Sequence, residues 1–195
     1  MTLRIGLTGS IAMGKSEAAN ILRQHGLPVF DADAEVHKLY DGLEGADLVR
    51  PFVPEATRLG KVDRHIITAQ VLKDPALLAR LEKKVHVEIA KRREAFIAAA
   101  EAQGAKGVVL DIPLLFEVGA DKAVDKTIVI SSTPELQRAR ALARPGMTEE
   151  RLNLILARQM PDAEKCRRAD AVIHNTSSLL EMKKSLLAVL EEWGV

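Results

Sequence analysis

Apolar residues fall along this chain in two rhythms. Short continuous runs at Leu3–Thr8, 27–30, Gly107–Asp111, 123–130 and 169–175 have the length and bounding of buried strands. Between them lie stretches with helical spacing: Lys15–Gln24, 34–40, a helix from about 132, and a closing helix from 176 to about 193. Strands that alternate with helices predict a parallel sheet covered on both faces. One long segment departs from this alternation. From 63 to 103, Ile66, Ile67, Val71, Leu72, Leu77, Leu78, Leu81, Val85 and Ile89 recur at three-and-four spacing with no strand between, which predicts two or three successive helices. Residues 42–62, with Gly42, Gly45, Pro51, Pro54 and Gly60, read as an irregular connection that leaves the sheet.

A second helical segment carries arginine. Ser132-Thr133-Pro134-Glu135 starts a helix bearing Gln137, Arg138, Arg140 and Arg144. Pro145-Gly146 breaks it, and another helix begins at Glu149-Glu150-Arg151, with Arg158-Gln159 further on. Helix, break and helix with guanidinium groups make the layout of a lid that closes over phosphates. Arg138 and Arg151 read instead as surface partners of Glu149, Glu150 or Glu164. The 195 residues then divide as one domain, with a core of about 1–41, 105–134 and 168–195, a helical insertion of about 60–104, and a lid of about 135–167.

Composition adds mainly exclusions. Apolar residues make up 47% and charged residues 28%, with a formal net charge of +1, so nothing drives the whole chain toward nucleic acid or an anionic membrane. Cys166 is alone, which rules out an intrachain disulfide and suits a reducing cytoplasm; it reads as structural. No signal peptide or membrane-spanning run is expected. The five histidines lack metal-ligand spacing. Lys83, Lys84, His86, Lys91, Arg92 and Arg93 make the helical insertion locally basic, which fits a solvated face or a patch toward an anionic substrate.

The chemistry concentrates in Gly9-Ser10-Ile11-Ala12-Met13-Gly14-Lys15-Ser16, which fits G-x-x-x-x-G-K-[ST] between a strand and a helix. Glycines let the backbone turn so that loop and first-turn N–H groups converge on anionic oxygens. Lys15 supplies charge to the β- and γ-phosphates, and the Ser16 hydroxyl can ligate Mg²⁺. The fold class is therefore α/β, a P-loop NTPase-type parallel sheet flanked by helices, with an inserted helical substrate subdomain and an arginine-rich helical lid. Asp111 closes a hydrophobic strand, the position of a Walker B carboxylate that holds Mg²⁺. Asp31 and Asp33 stand at the carboxyl end of the second strand, where ligands meet parallel sheets; either could equally cap the following helix. No Asn-Lys-x-Asp motif is present to read guanine, which opposes a GTP switch. A small-molecule kinase for a nucleoside monophosphate, gluconate or shikimate fits the same motif.

The order and spacing of several pieces resemble the dephospho-coenzyme A kinase family along nearly the whole chain. These are Gly6-Leu7-Thr8-Gly9 leading into Gly14-Lys15-Ser16; Asp31-Ala32-Asp33 with His37; Leu81-Glu82 and His86; Pro113-Leu114-Leu115-Phe116-Glu117; Gln137 with Arg140 and Arg144; Gln159-Met160-Pro161; and Ala169-Asp170 through Asn175. The resemblance implies transfer of the ATP γ-phosphate to the 3′-hydroxyl of dephospho-CoA. It implies that Gly9, Ser10, Ile11, Ala12, Met13, Gly14, Lys15, Ser16 and Glu17 hold ATP phosphates, with Asn175 near the adenine. Asp33 is the preferred base, and Lys15, Arg140 and Arg144 act on the phosphates. Asp31, Asp33, His37, Leu81, His86, Pro113, Leu114, Leu115 and Glu117 contact dephospho-CoA, and Ser16 and Asp111 serve Mg²⁺. A cytoplasmic monomer or weak homo-oligomer is implied, with small molecules as its partners. Ser10 and Ala12 stand where the family commonly has glycine, and Val87 follows His86 where proline is usual.

Overall fold

In the computed structural model, which describes residues 2–195, the chain divides into two compact units. One is Met1–Phe30 with Ala99–Val195; the other is Asp31–Ala98.

The first unit is built on β1 (Leu3–Thr8), in which Ile5, Gly6, Leu7 and Thr8 are all buried. Burial on both faces is what a central parallel strand requires. β1 is followed by α1 (Lys15–Gln24) and β2 (Val29–Asp31). Later strands are β5 (Gly107–Asp111), β6 (Lys126–Ser131) and β7 (Ala171–His174). The sheet order is β2-β5-β1-β6-β7. β1 runs parallel to β5, from Leu3 opposite Gly107 to Leu7 opposite Asp111, and to β6, from Ile5 opposite Lys126 to Thr8 opposite Val129. Helix α6 (Pro134–Leu142) follows β6; α7 (Glu149–Leu156) and α8 (Asp162–Arg168) precede β7. The C-terminal α9 (Leu179–Glu192) packs Met182, Leu186 and Leu190 with Ala18, Ala19 and Leu22 of α1 over Ile5, Leu7, Val109, Ile128, Ile130 and Ile173.

The second unit contains α2 (Ala32–Tyr40), α3 (Leu43–Val49), a hairpin of β3 (Thr57–Arg58) and β4 (Lys61–Val62), and α4 (Arg64–Lys73) with most of α5 (Pro75–Ala102). The expectation of an irregular connection at 42–62 is thus corrected: it holds a helix and a hairpin. The physical reason is close approach. A Cβ on Gly45 would run into the Leu39 carbonyl, so this glycine lets α3 press onto the end of α2 and does not break the helix. Ala46, Val49, Val53, Ala56 and Val62 then form a core with Leu77 and Leu81. The later part of the basic stretch of α5 is paired within its own unit: Arg92 meets Glu35 at 3.4 Å and also Glu44, while Lys91 meets Glu88 at 3.0 Å. Lys83, Lys84 and His86 remain exposed. No helix among the described residues is long and apolar enough to cross a membrane.

Candidate active site at the phosphate loop

The loop between β1 and α1 turns on Gly14, whose φ of 100° is left-handed. A Cβ there would collide with the Asn175 side-chain amide, so glycine is required both for the turn and for the close approach. Lys15, Ser16 and Glu17 open α1, and first-turn N–H groups have no acceptor within their helix. With the positive end of the helix dipole, they make an anion site.

Ala12 also lies in the left-handed region, at φ 61°. Alanine pays about 1 kcal/mol for this where glycine pays nothing. Its methyl group is buried with Ala141 and Leu152, and Ile11, Met147 and Leu156 pack alongside. Residues of α6 and α7 therefore cover the loop.

Side-chain amides tie the loop at three points. Asn175 Nδ2 donates to the Met13 carbonyl at 3.0 Å. Gln137 Nε2 donates to the Ile11 carbonyl at 2.9 Å, and the Ile11 N–H donates to Gln159 Oε1 at 3.0 Å. The Asn175 carbonyl in turn accepts from Ser132 Oγ at 2.8 Å and Arg140 Nη1 at 3.0 Å. Asn175, expected near the adenine, thus braces the loop through its side chain. Arg140 is half-buried beside it, whereas Arg144 and Arg158 are exposed. Arg138 pairs with Glu149 at 2.6 Å, the surface role read for it.

Lys15 Nζ forms an ion pair with Asp111, the last residue of β5. The carboxylate is 3% exposed, so the pair sets a preformed cation beside the anion site. Ser16 presents its hydroxyl at the exposed start of α1.

Beyond β5, Pro113 and Glu117 are held by a residue that sequence reasoning passes over. Lys165 on α8 is 0% exposed. Its ammonium pairs with Glu117 at 2.9 Å and donates to the Pro113 carbonyl at 3.3 Å, which also accepts from Thr8 Oγ1 at 2.9 Å. Glu117 accepts the Met160 N–H at 2.8 Å. Burial pushes the Glu117 carboxyl upward, but the Met160 N–H and Lys165 outweigh it and leave the group below its ordinary range. Its contribution to stability is therefore present above that range and is lost as the pH falls from there through the lowered folded-state value. Leu115 and Leu81, expected at dephospho-CoA, are buried, at 0% and 2% exposed. Leu81 belongs to the apolar cluster of the second unit. Leu114 is exposed.

A Lys165→Met variant should lose about 3–5 kcal/mol of stability, because Glu117 would stay buried without its cation. Adding Glu117→Gln should restore more than half of that loss, since the amide still accepts the Met160 N–H. Urea unfolding of the two variants reads both effects.

In the second unit, Asp31 Oδ1 accepts the Ala34 N–H at 2.9 Å and caps α2. Asp33 stands in the first turn of the same helix with its side chain exposed. His37 Nε2 lies 3.2 Å from Arg64 Nη1, and His86 is exposed on α5. Cys166 lies 3.7 Å from the Asp162 carboxylate; burial raises its pKa, which keeps it a thiol and suits the structural reading.

The chain is similar to known proteins over its full length. A family model for dephospho-CoA kinase matches residues 3–181. The dephospho-CoA kinase of Bradyrhizobium diazoefficiens is 49% identical over 96% of this chain and 94% of that one. Two solved structures share the fold. The protein TT1252 of Thermus thermophilus superposes with a TM-score of 0.82 at 35% identity, covering 98% of this chain and 97% of that one. Dephospho-CoA kinase from Campylobacter jejuni gives 0.74 at 28% identity, covering 99% and 98%. With nearly half of its residues identical across almost the whole of both chains, and with the family model spanning its phosphate loop, its sheet and helices α6 to α8, this chain belongs to the dephospho-CoA kinase family.

Proposed function

We propose that the phosphate loop and Asp33 carry the family's reaction in this chain, transfer of the ATP γ-phosphate to the ribose 3′-hydroxyl of dephospho-CoA to give CoA and ADP. ATP-dependent phosphorylation of dephospho-CoA is the final step of CoA biosynthesis and is the activity of this chain. The observation that carries the site assignment is the open first turn of α1 set beside the Lys15–Asp111 pair. Phosphoryl transfer needs little covalent help from the protein; positioning and charge stabilisation do most of it. Lys15 meets the charge on the transferring group, and the α1 N–H groups hold the phosphates. Asp33 accepts the hydroxyl proton, and its exposed carboxylate is available for that task. Arg140 and Arg144 add cations from the lid.

Mg²⁺ fits the donors present. Among the described residues no cluster of three or more His, Cys, Asp or Glu could hold a metal. Mg²⁺ needs none, since it binds through one or two protein oxygens, water and substrate phosphates. The Ser16 hydroxyl and Asp111 carboxylate are such hard oxygen donors and would hold it. Bound there, the ion neutralises charge on the β- and γ-phosphates. We place the enzyme in the cytoplasm, with ATP and dephospho-CoA as its partners.

The test is ADP formation from Mg·ATP with dephospho-CoA, AMP, gluconate or shikimate as acceptor. Turnover is expected with dephospho-CoA alone, and phosphorus NMR of the product should show a 3′-phosphomonoester. Phosphate on another position, or turnover only with another acceptor, would reject the reading.

A further inference from the structure

We propose that Gln137 and Gln159 are positioning residues for ATP, Gln137 by holding the Ile11–Ala12 peptide of the phosphate loop against a flip and Gln159 by fixing the peptide just before it. The proposal rests on the assignment of that loop to the ATP phosphates.

The argument starts from Ala12. Its φ of 61° is costly for a residue with a Cβ. A trans peptide is planar, so its carbonyl and its N–H point in opposite directions. Rotating the Ile11–Ala12 peptide by about 180° would take the Ala12 φ from positive to negative, to about −120°, the side that a residue with a Cβ prefers. The same rotation would reverse the Ala12 N–H and spoil the converging donors of the loop. Alanine at this position therefore supplies a drive toward the flipped loop, and something must oppose it.

The two glutamines do so with opposite chemistry, one on this peptide and one on the peptide that anchors it. Gln137, on α6 and 9% exposed, donates to the Ile11 carbonyl and so fixes the direction of the adjoining Ala12 N–H. Gln159, between α7 and α8, accepts the Ile11 N–H and holds the preceding peptide. Strained backbone persists only where its surroundings over-determine it, and Ile11 is gripped at both of its backbone polar groups. Gln159 is itself anchored, because the next residue, Met160, donates its N–H to the buried Glu117–Lys165 pair. The loop is thus shaped from outside, by the lid segment, at a position where it lacks a glycine.

The test is Mg·ATP affinity by titration calorimetry, without dephospho-CoA, for wild type, Gln137→Met, Gln159→Met, Ala12→Gly and the Ala12→Gly/Gln137→Met double variant. Gln137→Met and Gln159→Met should each weaken ATP binding by about three- to tenfold. In the Ala12→Gly background the loss caused by Gln137→Met should shrink to about twofold or less, because glycine removes the drive to flip. A merely structural glutamine would give the same loss in both backgrounds, and that result would overturn the proposal. Wild-type affinity in both glutamine variants would overturn it as well. Should Gln137→Met fail to fold, Gln137→Glu keeps the size, removes the donor and must show the same dependence on residue 12. Lys15→Met serves as the control. If it binds ATP like wild type, the assignment of the loop is what fails; if it loses binding while the glutamine variants do not, only the clamp fails.

Discussion

A Lys15→Met variant is expected to lose kcat/KM for ATP by about a thousandfold or more. Methionine keeps the length of the side chain and removes the ammonium. In the proposed assignment the lost charge faces both the bound phosphates and the group being transferred, so ATP binding should weaken and the larger part of the deficit should appear in kcat. A second consequence follows from the free enzyme. Asp111 is 3% exposed and paired with Lys15, so removing the cation should also lower stability by a few kcal/mol. The two effects separate experimentally. Single-turnover ADP formation at saturating ATP reads the chemical step, and thermal unfolding reads the buried carboxylate. A variant that melts early but turns over at the wild-type rate would show that the pair is structural and that Lys15 does not serve the reaction.

Asp33→Asn is expected to lower kcat by about 10²–10⁴ with little change in KM. The amide keeps the shape and cannot take a proton. Asp31 provides the internal comparison. Its carboxylate caps α2 by accepting the Ala34 N–H, and asparagine caps as well as aspartate does. Asp31→Asn should therefore keep its helix and lose less than about tenfold in rate. The difference between two carboxylates two residues apart removes fold, charge count and local electrostatics as explanations.

The phosphate loop, α1 and the β5 strand ending in Asp111 were legible because each is a local pattern: a motif, a helix that starts where the motif ends, and an unbroken apolar run. The helices on either side of the Pro145-Gly146 break were legible from Pro134 and from that break. The helix at Leu43–Val49 was not, since Gly45 looks like a breaker until the Leu39 carbonyl is seen pressed against it. Leu81 and Leu115 show the limit of reading a site from a motif. An apolar residue within a functional stretch looks the same in sequence whether it is buried or exposed, and these two are buried while Leu114, the neighbour of Leu115, is exposed. Lys165 escaped notice because it sits in the charged run Glu164-Lys165-Cys166-Arg167-Arg168, which reads as surface. The available clue was Glu117, an acid closing an apolar stretch and needing a buried partner. Gln137 and Gln159 were visible as pieces of the family pattern, but their shared partner, Ile11, lies 126 and 148 residues away in sequence. Only the folded chain shows that the positive φ of Ala12 and these two amides belong to one device.

The central claim, that the phosphate loop delivers a phosphoryl group to a hydroxyl deprotonated by Asp33, is tested most directly by one rapid-quench experiment. Radiolabelled γ-phosphate transfer to dephospho-CoA would be followed in a single turnover for wild type, Asp33→Asn and Asp31→Asn at saturating Mg·ATP. The expected result is a transfer rate reduced by about 10²–10⁴ in Asp33→Asn and by less than about tenfold in Asp31→Asn. Near-normal transfer in Asp33→Asn, with the loss falling on Asp31→Asn, would contradict the account and move the base to Asp31.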